Sequence, residues 1–189
     1  MNQAPPTAPP RATLADLMRT PGKAELIGGR IVTFMATGHL PSRIASRIFR
    51  SLDDHAEATG QGLAYNDNVG FAVPELSSGR QSFSPDASYY LGPLPANGMD
   101  FLEGPPTLAV EVRSKTDDCP AAEAEIAAKR ADYFEAGTAV VWDVDPQTQV
   151  VRSYRAATPD SALIFALGQI ADAEPAVPGW HLTLDRIFA

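Results

Sequence analysis

Apolar and polar positions follow two different periods along the chain, and the switches between them mark out its elements. Residues 24–36 (AELIGGRIVTFMA) hold two strand-like runs around Gly28-Gly29, a two-residue hairpin signal. Pro41 and Ser42 open RIASRIFRSLDDHAEATG, where Ile44, Ile48 and Leu52 recur at i, i+4 and i+8 with Ala45 and Phe49 beside them. That spacing predicts one apolar helix face, stopped at Gly60. Strand-like segments follow at 62–73, 82–91 and 107–114, with a loop rich in Pro and Gly at 92–106. A second helix is expected after Asp117 or Asp118 as cap, with Pro120 in its first turn and Gly137 at its end. TAVVWDVD and QVVRSYR then flank Pro146 as a second hairpin, and the tail holds a short apolar run, LIFAL, before PGWHLTLDRIFA. Ahead of all this, Thr13 with Asp16 caps a short helix, LADLMR. Residues 1–12, rich in Pro, Ala and Thr, lack an apolar period and predict a flexible arm. The order is that of an α/β (α+β, mixed-sheet) fold rather than a strict βαβ series, in a single domain over 13–189.

Composition narrows the setting. A chain of 189 residues is long enough for one domain with its own core. No apolar run approaches the roughly 20 residues that span a bilayer. The N-terminus has no apolar segment of the secretory kind, and the single cysteine, Cys119, excludes an internal disulfide. A reducing cytoplasm is the expected location. The net charge of −8 argues against broad nonspecific DNA binding, which needs clustered Lys and Arg. It leaves room for a local basic groove, and carboxylates that hold Mg²⁺ would themselves lower the charge.

Candidate chemistry concentrates on a few residues. Asp86 follows Pro85 in a strand-like run, where Ser84, Asp86, Ser88 and Tyr90 share one face by the two-residue period. The alternative for Asp86 is a turn or capping role, common for Pro-Asp pairs. Glu111 sits in the middle of TLAVEVRS, sharing a face with Ala109 and Arg113 while Leu108, Val110 and Val112 face the other way. A carboxylate in such an apolar strand is costly to bury alone and needs a cation, a hydrogen bond or solvent. Two strand carboxylates converging on a hard cation make the kind of oxygen site Mg²⁺ takes. On a helical wheel Lys129 falls about 40° from Tyr133 and about 20° from Ala122, at the border of the expected sheet-facing stripe. From there it could reach back to the strand carboxylates; the competing reading is a solvated Glu125–Lys129 pair. His39, placed in a loop before the first helix, His55 and His181 lack metal-ligand spacing, which argues against zinc. Trp142, Tyr133 and Phe134 read as core.

Pro85-Asp86, Glu111-Val112-Arg113-Ser114, Lys129 with Tyr133 and Gly137 at four-residue steps, and Val141-Trp142-Asp143-Val144-Asp145-Pro146 together resemble the Uma2 (DUF820) family. So do the opening Glu25-Leu26-Ile27 with Gly29 and the closing Pro178-Gly179-Trp180. This family belongs to the PD-(D/E)XK, restriction-endonuclease-like superfamily. The resemblance implies a central mixed β-sheet flanked by helices, with an N-terminal β-hairpin. It implies Asp86, Glu111 and Lys129 as the catalytic set. Mg²⁺ or Mn²⁺ would be held by Asp86, Glu111 and a main-chain carbonyl near Val112, with Glu25 completing the shell. The superfamily's usual lysine, two residues after the acid, is Arg113 here; it would face a substrate phosphate or point away towards a partner. The activity implied is an endonuclease on nucleic acid, DNA first, working as a homodimer. Two rival readings stand beside it: a non-catalytic binding or assembly module on the same fold, and a metal-dependent hydrolase of a smaller phosphate ester.

Overall fold

The structure, a computed structural model, describes residues 10–117 and 119–189. The arm expected over 1–12 thus lies mostly outside the described residues, as does Asp118. The described end of the arm is anchored: Ala12 donates its N–H to the Gly29 carbonyl at 2.8 Å, and Arg11 pairs with Glu75 at 2.5 Å.

Helix α1 (Leu14–Met18) starts at Thr13, whose hydroxyl accepts from the Asp16 N–H while the Asp16 carboxylate accepts from the Thr13 N–H. Strands β1 (Ala24–Ile27) and β2 (Arg30–Thr33) form the expected hairpin. Gly28 and Gly29 have φ of 59° and 73°, the positive values that a type I′ turn requires at both central positions. Helix α2 (His39–Thr59) begins earlier than expected, with Gly38 as its cap, so His39 is its first residue and not part of a loop. Pro41 does not delay the start, because a proline in the first turn lacks only an N–H that would have no partner there.

The remaining elements are β3 (Leu63–Asn66), β4 (Phe71–Ala72), β5 (Ser82–Phe83), β6 (Ala87–Tyr90), β7 (Leu102–Glu103), β8 (Leu108–Val112), α3 (Pro120–Ala136), β9 (Val140–Asp145), β10 (Val150–Arg155), β11 (Thr158–Phe165), β12 (Ile170–Asp172), β13 (His181–Thr183) and α4 (Leu184–Phe188). The run at 82–91 is therefore two strands, broken at residues 84–86 where Pro85 has no N–H to give a ladder. Cys119, not Asp117, stands at the N-cap of α3; the Asp117 carboxylate instead accepts the Ser114 N–H at 2.6 Å. The first three residues of LIFAL end a longer strand, β11, whose Pro159 is tolerated because β11 is an outer strand of its sheet.

Six strands form the central sheet in the order β11-β10-β9-β8-β6-β3. It is mixed: β8 and β9 run parallel, as a crossover through α3 requires, and the other neighbours are antiparallel. Alternation along the central strands divides the core. Leu108, Val110, Trp142 and Val144 join Ile44, Ile48 and Leu52 of α2 on one face. Ala109 and Val141 join Tyr133 of α3 with Phe71 and Phe83 of a small three-stranded sheet, β5-β4-β7, on the other. The β1–β2 hairpin is attached beside this second layer through the Gln81 N–H, which donates to the Leu26 carbonyl at 2.8 Å. No described helix is long and apolar enough to cross a membrane.

Candidate active site

Glu111 lies one residue from the end of β8, on the face it shares with Ala109, and α3 packs against that face through Tyr133. The pairing satisfies the acid from two sides: Tyr133 donates its hydroxyl to Glu111 Oε1 at 2.6 Å, and Lys129 Nζ stands 2.8 Å from the same oxygen. Tyr133 and Lys129 are one helical turn apart, so one face of α3 supplies both. The Glu125–Lys129 pair is not formed; Lys129 turns inward, with 19% of its side chain exposed, and also reaches Glu25 Oε1 at 3.1 Å. Burial raises the Glu111 carboxyl above its ordinary value, Lys129 and Lys23 pull it back, and the nearby charges of Asp86 and Glu25 push it up again. A cavity of about 50 Å³ opens between Glu111, Lys129, Tyr133 and Asp143, room for no more than a few water molecules.

Asp86 stands in the bend between β5 and β6. Its N–H donates to the Val110 carbonyl at 3.0 Å, and its Oδ2 accepts the Val112 N–H at 2.8 Å, so β8 fixes Asp86 from both sides of Glu111. The other oxygen, Oδ1, meets Lys23 Nζ at 2.7 Å, and the same ammonium lies 2.7 Å from Asp67 Oδ1. Burial alone would lower the Lys23 pKa, but the charges of Asp86 and Glu111 raise it well above the ordinary lysine value. Lys23 therefore sits close enough to both strand carboxylates to serve both electrostatically.

Glu25, on β1, is fully buried. Its Oε1 accepts the Ser84 N–H at 3.0 Å, Arg80 holds its Oε2, and Lys129 completes the set. Burial pushes this carboxyl up, and the Lys129 and Arg80 charges with the Ser84 N–H outweigh it, leaving the pKa below its ordinary value. Arg80, itself buried, spans to Asp132 Oδ2 at 2.8 Å. Both oxygens of Glu25 thus meet protein donors, among them Lys129. Arg113 is committed as well. Its Nε and Nη2 grip Asp143 at 2.6 and 2.7 Å, and Glu123 takes its outer edge. The guanidinium is paired with protein carboxylates, and Arg113 also borders a cavity of about 330 Å³ shared with Ser114, Lys115 and Asp145.

Lys23, Asp67, Arg80 and Asp132 were not singled out in the sequence. For Lys23 a signal existed: it stands two residues before Glu25 and so shares its strand face. Arg80 and Asp132 carry no local signal, since their partners are 55 and 52 residues away.

Among the described residues Glu25, Asp67, Asp86, Glu111 and Asp132 share Lys23, Arg80 and Lys129 as charge partners. The cluster is all oxygen donors and short of positive charge. Among the described residues no three acidic, His or Cys side chains are grouped as a complete metal cage. The donor set nonetheless suits Mg²⁺ or Mn²⁺, which take a protein carboxylate or two and leave other positions to water or phosphate. Lys23 already stands as a cation on Asp86.

The family model for Uma2, described as "Putative restriction endonuclease", matches residues 12–185. Among solved structures the fold is similar to a crystal structure from Anabaena variabilis described as "a putative nuclease belonging to DUF820". The TM-score is 0.73 at 21% identity, covering 93% of this chain and 97% of that one. Among curated proteins no significant match exists.

Proposed function

The chain belongs to the Uma2 family, and on that premise we propose that its acidic site is the centre of a divalent-metal-dependent nuclease acting on nucleic acid, DNA in the first instance. The observation that carries this reading is the convergence of Asp86, Glu111 and Lys129. Lys129 of α3 docks on Glu111 of β8 at 2.8 Å, and Asp86, in the bend before β6, is tied to the Val112 N–H beside Glu111.

Asp86, Glu111 and the main chain at Val112 would hold Mg²⁺ or Mn²⁺. A bound divalent ion lowers the pKa of a coordinated water and offsets charge on a phosphate. Lys129 contributes a fixed ammonium at the attack side, where it orients a water or meets charge developing on the phosphoryl oxygens. Glu25 and Arg80 act through Lys129: a lysine held between two carboxylates keeps its proton and its position. Tyr133 fixes the Glu111 rotamer through the same oxygen. Arg113, gripped by Asp143 and Glu123, locks the end of β8 to α3 and β9.

Purified protein incubated with Mn²⁺ and assorted DNA and RNA is expected to cleave phosphodiester bonds, and Asp86→Ala to abolish cleavage. Cleavage unaffected by Asp86→Ala would overturn the assignment. One observation favours a second reading, a non-catalytic binding or assembly module: the acidic surface, with a net charge of −8, offers phosphate little attraction. Metal-independent binding of a protein or nucleic-acid partner with no cleavage under any metal would support it. The proposed homodimer is checked by light scattering.

A further inference from the structure

Asp86 has two oxygens with different fates. Oδ2 is pinned by the Val112 N–H, a backbone donor inside the central sheet. Oδ1 is the oxygen left for a cation, and Lys23 holds it at 2.7 Å. Lys23 stands just before β1, its side chain 16% exposed, and its carbonyl is tied to the hairpin by the Phe34 N–H at 2.9 Å. The backbone of Lys23 is therefore anchored, while its side chain bridges two acids. The second acid, Asp67, lies in the turn after β3, with 37% of its side chain exposed. An ammonium that leaves Asp86 keeps a charge partner in Asp67 and gains solvent.

We propose that Lys23 competes with the divalent cation for Asp86 Oδ1, so that metal loads only after Lys23 retreats to Asp67. This rests on the reading of Asp86 and Glu111 as the metal-holding pair. A divalent ion at about 2.1 Å from an oxygen repels an ammonium held on that same oxygen, and Lys23 has Asp67 to move to, so each cation weakens the other's hold on Oδ1. The binding-competent form is then the fraction of molecules in which Lys23 has let go, and apparent affinity falls by that fraction. Lys23 thus sets the metal concentration at which the site fills. In a protein whose carboxylates outnumber its nearby cations, it also prevents the site from standing as an uncompensated acidic cluster.

The test is Mn²⁺ binding by titration calorimetry on the full chain, which does not depend on activity. Lys23→Met removes the competitor and is expected to tighten Mn²⁺ binding by about tenfold or more, the gain from a competent fraction of about one in ten. Lys23→Gln, which keeps a hydrogen bond to Asp86 without the charge, serves if the Met variant does not fold. Affinity unchanged or weakened in the folded variant overturns the proposal. Asp86→Ala separates the two levels. If it abolishes Mn²⁺ binding while Lys23→Met leaves affinity unchanged, Asp86 is a ligand and only the competition fails. If Asp86→Ala leaves binding intact, the metal assignment itself fails, and the competition with it.

Discussion

Arg80 is the residue on which the architecture of the site most depends, and Arg80→Met tests this. Arg80 is 7% exposed and is placed between Glu25 and Asp132, themselves 0% and 7% exposed. Removing one partner of a buried ion pair leaves an uncompensated charge, a loss of about 3–5 kcal/mol. Glu25 would retain Lys129 and the Ser84 N–H, whereas Asp132 would lose the ion-pair partner it has among the described residues. The loss should therefore come chiefly from Asp132, and adding Asp132→Asn should return about 1–3 kcal/mol, the cost of one unsatisfied buried group. For a domain of this length about 3–5 kcal/mol corresponds to a fall in Tm of roughly 6–20 °C. Urea denaturation followed by circular dichroism reads both variants, provided the slope m is unchanged. A loss under about 1 kcal/mol for Arg80→Met, or no recovery in the double variant, would refute the view that Arg80 balances two buried acids.

Glu111→Gln should raise the stability of the protein at neutral pH without added metal, because the folded-state pKa of Glu111 is raised. Such a carboxyl costs stability as pH rises from its ordinary value of 4.5 towards the raised one, so the gain should vanish at acid pH in thermal melts; a variant less stable at pH 7 would contradict this. Glu25 runs the other way: its depressed pKa stabilises the fold above the ordinary value of 4.5, and that contribution is lost as pH falls through the depressed value, so Glu25→Gln should flatten the acid limb of the stability curve. Arg113→Lys, which keeps the charge but not the two-point grip on Asp143, should cost about 1–3 kcal/mol in urea unfolding; an unchanged midpoint would mean that the fork geometry is immaterial.

Much of this was readable from the order of residues, for particular reasons. The Gly28-Gly29 turn, the Ile44–Ile48–Leu52 face and the Val140–Asp145 strand are local patterns in which propensity and burial agree, and each forms its expected type of element. The inward turn of Lys129 was visible because Tyr133 on the same stripe had to be core. The break at Pro85 was harder to read, since flanking residues with strand character hid a two-residue β5. The strands β12 and β13, three residues each, are too short for a period to register; they form because Ala171 and Leu182 join the larger core. The sequence pointed to three of the acids, Glu25, Asp86 and Glu111, with Lys129 and Arg113. The site's other cations were not legible there, because Lys23 and Arg80 acquire their roles only when the hairpin and the 74–84 segment are brought against β8 and α3.

That long-range assembly has a consequence for how the site is made. Asp86 and Glu111 belong to the segment and strand of the central sheet, whose pairing places them whatever the hairpin does. Glu25 arrives on β1 and Lys23 just before it, outside that sheet, and Arg80 arrives on the loop that the hairpin grips through Gln81 and Leu26. Docking of the hairpin therefore brings Lys23 and Glu25 together to a pair of carboxylates that would otherwise repel each other, with Arg80 following on the loop it grips. The charge balance of the site rewards docking, and the docked hairpin in turn orders Lys129 through Glu25. In the proposed reading, the acids of the central sheet and Lys129 carry the chemistry, and the hairpin supplies the charges around them. The hairpin layer brings Lys23 against Asp86 and Glu25 against Lys129.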